Sequence, residues 1–95
     1  MPTFITLANF TDQGIQNVKD SPKRHEAFKA MAAELGVEVK SFYYTVGQYD
    51  LVMITEGTDE AVMTMLLKAG LSNTRSQTMR GFSMPEMKAI LDRMD

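Results

Sequence analysis

Two apolar stripes with helical spacing, each set between segments rich in β-branched and aromatic residues, constrain this chain more than any other feature. Phe28, Met31, Ala32 and Leu35 fall at i, i+3, i+4 and i+7, and Val62, Met65, Leu66 and Ala69 repeat that spacing. This period puts the apolar side chains on one helix face, which then needs a surface to cover. Four segments read as strands able to supply it: Phe4 to Phe10, Val37 to Val46, Leu51 to Glu56 and, more polar than the rest, Asn73 to Phe82.

The punctuation between these segments is consistent with that reading. Thr11-Asp12 stops the first strand, and Ile15 and Val18 suggest a short helical turn. Ser21-Pro22 suits a helix start, with serine as N-cap and proline at the first helical position. Gly36 sits where a C′ glycine belongs. Gly47-Gln48-Tyr49-Asp50 joins the second and third strands as a hairpin. Thr58 can cap the second long helix, with Asp59 and Glu60 at its positive end, and Gly70 ends it. Ser83-Met84-Pro85-Glu86 has capping-box spacing and precedes a third stripe, Met87, Ile90, Leu91 and Met94.

The order is β-α-β-β-α-β with a C-terminal helix. It predicts an α+β, ferredoxin-like two-layer sandwich over residues 1–95, one domain, with both long helices on one face of a four-stranded antiparallel sheet. A chain of 95 residues buries only about 60–65% of its unfolded surface, so its core is thin. Phe4, Phe10, Phe42, Tyr43, Tyr44, Met53 and Met79 are available to the other sheet face. An uncovered apolar face of that kind marks an interface, most simply a second copy stacked sheet to sheet in a homodimer or higher homo-oligomer. Which alternate residues of the last strand point there stays open, because both of its faces are polar.

Composition narrows the function classes. The net charge is −2 and no basic run exists, so the phosphate-neutralising patch of a nucleic-acid binder is missing. Cysteine is absent, which excludes disulfides, thiolate metal sites and a cysteine nucleophile. Met1 to Leu7 has no positive n-region, and no apolar run approaches the roughly 20 residues that span a bilayer. A cytoplasmic protein with no membrane contact is expected.

The residues around the hairpin carry a family likeness. Gly47-x-Tyr49-Asp50, the flanking Phe42-Tyr43-Tyr44-Thr45, Ser21-Pro22-x-Arg24 before the first long helix and Arg75-x-x-Thr78-x-Arg80-x-Phe82 in the last strand together resemble the GYD-domain family. The resemblance implies a ferredoxin-like fold related to dimeric α/β barrels, and no established activity. A similar Gly-x-Tyr-Asp hairpin occurs in the effector-binding domains of Lrp/AsnC-type regulators, a likeness at the level of fold.

Several residues are candidates for chemistry, each with a plainer role beside it. The hairpin motif is explained by a glycine with positive φ, an aspartate bonding turn amides and a tyrosine ring packed across the hairpin, or else by Tyr49 or Asp50 at the rim of a ligand pocket. His25, the sole histidine, is either a general base or a helix-surface residue. Alternation puts Arg75 on one face of the last strand and Thr78 and Arg80 on the other. An arginine in a barrel lumen would clamp a carboxylate, whereas one at a sheet edge keeps that edge soluble. Nine methionines are explained by packing rather than by a soft metal, since Met63 and Met65 do not share a helix face. No cofactor motif is present.

These features favour a homo-oligomeric module that binds a small anionic or aromatic metabolite between stacked sheets, with Thr6, Tyr43, Tyr44, Tyr49, Asp50 and Arg75 as candidate ligand contacts. Two alternatives remain: a cofactor-independent oxygenase or isomerase using the same cavity, and a purely structural oligomerisation module.

Overall fold

In the computed structural model, which describes residues 1–70 and 74–94, strand and helix segments follow the expected order. They are β1 (Thr3–Phe10), α1 (Asp12–Gln16), a 3-10 turn (Val18–Asp20), α2 (Ser21–Glu34), β2 (Glu38–Tyr44), β3 (Leu51–Glu56), α3 (Asp59–Gly70), β4 (Thr74–Gly81) and α4 (Met84–Asp92). The sheet order is β2-β3-β1-β4, and all three pairings are antiparallel. Asn73, expected to open the last strand, lies outside the described residues.

The helix boundaries follow from local chemistry. At the end of α2, Gly36 has φ of 85° and donates to the Ala33 carbonyl, while Val37 N–H donates to Ala32 O at 2.9 Å. This pair of bonds is a Schellman motif, which only a residue comfortable at positive φ completes without strain. Thr58 Oγ1 accepts from Ala61 N–H, and Ser83 with Glu86 forms the expected reciprocal capping box. The start of α2 departs from expectation. Asp20, not Ser21, occupies the N-cap, and the Ser21 hydroxyl bonds instead to the Tyr44 hydroxyl at 2.9 Å.

Ala32 of α2, Val62 and Met65 of α3, Met53 of β3 and Val37 form the buried core, with Phe4, Phe28 and Leu35 packed around it. Both long helices therefore cover the same face of the sheet. That face carries Phe4, Thr6, Ala8 and Phe10 of β1, and the register adds Thr74, Ser76, Thr78 and Arg80 of β4 beside them. The opposite face holds Ile5, Leu7, Val52, Ile54, Tyr43 and Met79, cross-strand neighbours in the same registers.

This corrects the expected membership of the open face. Of the seven residues available to it, only Tyr43 and Met79 lie there. Phe4 and Met53 pack into the core, Phe10 faces the helices, Phe42 stacks on His25, and Tyr44 bonds Ser21. The cause in β2 is local: the register shifts between Val39 and Ser41, leaving Lys40 as an extra residue. A bulge of this kind reverses the side-chain alternation downstream of it.

The C-terminal stripe also ends up elsewhere. Met87, Ile90, Leu91 and Met94 stay exposed, Leu91 at 51% and Met94 at 75%. Helix α4 forms but does not add to the core.

Candidate functional site

The hairpin motif is built as a clamp on the neighbouring strand. Gly47 has φ of 139°, a region that L side chains rarely adopt. That lets the chain turn back so that Thr45 N–H donates to Asp50 O at 2.8 Å. Asp50 N–H then donates to Ala8 O at 2.9 Å, and Asp50 Oδ2 accepts from Phe10 N–H at 2.9 Å. The aspartate thus extends the ladder along β1 past the point where β3 ends. It bonds a strand amide rather than the turn amides expected of it. The Tyr49 hydroxyl donates to Gln77 Oε1 at 3.3 Å, reaching β4 rather than packing across the hairpin.

At the same end of the sheet, a groove of about 390 Å³ lies between the helices and the strands. Ala8, Phe10 and Ser76 form its floor, and Phe28, Met31 and Leu66 its walls. Arg24, His25 and Lys68 are its ionisable side chains, and no carboxylate lines it among the described residues. Arg24 donates to Asn17 O at 2.8 Å, which uses one of its five N–H groups. Thr6, buried, also lines the groove, its hydroxyl bonded to Thr78 Oγ1 at 2.9 Å.

His25 is half-buried, with its ring 3.7 Å from the Phe42 centroid and its Nδ1 enclosed without a partner among the described residues. Burial holds its pKa below the ordinary 6.5. Lys29 adds to the depression and Glu26 opposes it. The neutral ring is therefore the favoured form at neutral pH.

The six residues expected to touch a ligand are divided by the sheet. Thr6 and Tyr44 lie on the helix side, and Asp50 is committed to β1. Tyr43 and Arg75 lie on the open face, Arg75 exposed opposite Asn9, and Tyr49 reaches that face through Gln77. Thr6 and Arg75 therefore cannot line one cavity, and the groove within the chain is on the helix side rather than between stacked sheets. Arg80, on the helix side, sits 4.7 Å from the Phe82 ring centroid and donates to Gly81 O. Arg24 and Lys68 went unrecognised as groove residues, Arg24 entering only through the Ser-Pro-x-Arg match; a void is set by the distance between layers, which a sequence does not state.

No cluster of three or more His, Cys, Asp or Glu side chains suited to a metal ion occurs among the described residues. None of the described helices is long and apolar enough to cross a membrane.

Comparison with known proteins places the chain among small proteins of similar size. Residues 4–91 match the family model described as GYD domain. A protein of Thermus thermophilus, named glutamine synthetase and cystathionine beta-lyase binding protein, is 31% identical over 94 residues, covering 96% of this chain and 99% of the relative. The crystal structure of FFRP-DM1 superposes with a TM-score of 0.60 at 21% identity, over 86% of this chain and 100% of that one. That of TTHA0845, also from Thermus thermophilus, gives 0.54 at 24% identity, over 87% and 95%. At these identities the two structures speak for the ferredoxin-like fold.

Proposed function

Because this chain belongs to the GYD-domain family, we propose that it acts by binding rather than by turnover: a homo-oligomer, at least a dimer, paired through its open sheet faces and docking on metabolic enzymes. The observation that carries this reading is the apolar open face made by Ile5, Leu7, Val52 and Ile54, each partly exposed, with Met79 and Tyr43 exposed beside them, Tyr43 at 63%. A contiguous patch of this kind on a small domain is covered in the working assembly. The relative named as a binding protein for two enzymes supports a protein partner, since its match spans nearly the whole of both chains. The exposed stripe of α4 is a second apolar surface, separate from the sheet, and isolated helices of its length are marginal in water.

The alternative of cofactor-independent catalysis finds less support. It needs a base facing the substrate. His25 lines the groove, but its ring lies against Phe42 and its Nδ1 is enclosed, and no carboxylate lines the groove among the described residues.

Sedimentation at micromolar concentration tests the pairing. The parent chain sediments as a dimer or larger species, and Ile54→Glu, which puts a charge at the centre of the face, shifts it to monomer. Titration with purified glutamine synthetase and cystathionine β-lyase from the same organism tests the docking. A monomeric parent overturns the pairing, and absence of complex with either enzyme overturns the choice of partner.

A further inference from the structure

The groove on the helix side has no part in the pairing proposed above, because the sheet separates the two. Its position is set by element ends that meet at one end of the sandwich: Phe10 closes β1, Leu51 opens β3, Thr74 opens β4, and Ser21 opens α2. Small side chains on the floor, Ala8 and Ser76, leave the space beneath Phe28 and Met31 unfilled. A space of about 390 Å³ falls in the range of small-ligand sites, which pair a mostly apolar lining with a few polar groups.

The charge around it is one-sided. The chain as a whole is acidic, with a net charge of −2. The groove nevertheless gathers Arg24 and Lys68 and, among the described residues, no Asp or Glu. Arg24 is near the start of α2 and Lys68 near the end of α3, so both sit at the end where the strands converge. The Ser76 and Thr74 hydroxyls on the facing strand add neutral donors. An apolar body with a single anionic end matches this arrangement, whereas a polar, multiply charged metabolite would leave its charges against Phe28, Met31 and Leu66 at a desolvation cost.

We propose that the groove binds a small organic acid with an aromatic or branched apolar body, the body beneath Phe28 and Met31 and the carboxylate at Arg24 and Lys68. The guanidinium keeps four N–H groups beyond the one given to Asn17 O, enough for a two-pronged contact with a carboxylate. The hairpin clamp has a part in this, because Asp50 fixes the amide of Phe10 and with it the end of the groove floor.

Titration of nitrogen-15-labelled protein with hydrocinnamate and isocaproate, followed by amide shifts, tests the site directly and needs no enzyme partner. Both acids move the amides of Ala8 and Phe28, and the neutral hydrocinnamamide binds at least about tenfold more weakly because it lacks the charge-assisted contact. The double variant Arg24→Gln, Lys68→Gln loses at least about tenfold in affinity for the acids with its spectrum otherwise preserved. Ser76→Leu, which fills the floor, blocks binding without lowering the melting temperature. Equal binding of acid and amide overturns the proposal, as do shifts confined to Ile5 and Val52 on the open face. No binding by about 10 mM, an affinity too weak for a built site, overturns it as well.

Discussion

Replacing Asp50 with alanine removes a side chain that ties the hairpin to β1. The carboxylate accepts from Phe10 N–H at 2.9 Å, beyond the last residue that β3 pairs with, so alanine leaves that amide to solvent. A hydrogen bond to a charged acceptor is worth about 1.5–3 kcal/mol, and partial exposure of Asp50 places this one toward the lower half, about 2 kcal/mol. Unfolding entropy for a chain of 95 residues is about 0.2 kcal/mol per kelvin, so the melting temperature falls by about 10 °C. Asp50→Asn keeps an oxygen acceptor but not its charge, and retains about half of the effect. The assay is thermal unfolding by circular dichroism at one fixed protein concentration, because an oligomer's melting point depends on concentration. An alanine variant melting within about 2 °C of the parent would refute the clamp. So would an asparagine variant that loses as much as alanine, because the residue would then not be acting as an acceptor.

Three further outcomes follow from single sites. Thr55 is fully buried with its hydroxyl unpartnered among the described residues, so Thr55→Val gains about 1 kcal/mol in urea unfolding, and a loss would mean the hydroxyl is bonded. Gly47→Val costs about 1–2 kcal/mol; no atom crowds the position, so the cost is all backbone, and unchanged thermal unfolding would contradict the φ of 139°. His25 titrates below 6.5 by proton NMR, where it is the sole imidazole, and a midpoint at or above 6.5 counts against the stacked, half-buried ring. Since the unfolded chain then binds the proton more readily, stability rises with pH through that window and falls as pH drops from 6.5 toward the folded value. His25→Gln removes that contribution.

The element order was legible because each signal is local. A C′ glycine, a capping box and a stripe at i, i+3, i+4 and i+7 act within one or two turns, and Gly36, Ser83-Glu86 and the α2 and α3 faces behave as their spacing predicts. The hairpin was legible for the same reason. Ser21 was misassigned because a hydroxyl that suits a cap also suits a tertiary partner, and Tyr44 was within reach.

What the tertiary structure alone decided is the identity of each face. Strand alternation has a period of two, so a single extra residue inverts everything after it. Lys40 is that residue, and it sends Phe42 and Tyr44 to the helices and Tyr43 to the open face. The polar β4 carried no parity signal until its register with β1 set Thr78 against Thr6 and Arg75 against Asn9. That pairing separates residues that had looked like one site. The groove depends on how far the helix layer stands from Ala8 and Ser76, a distance fixed by the packing of Met53, Val62 and Met65 around it. Sequence by itself determined which segments are helices and strands, because those choices rest on neighbours along the chain. Which side chains meet depends on registers and layer spacings between segments far apart in sequence, and these exist only once the sheet has formed.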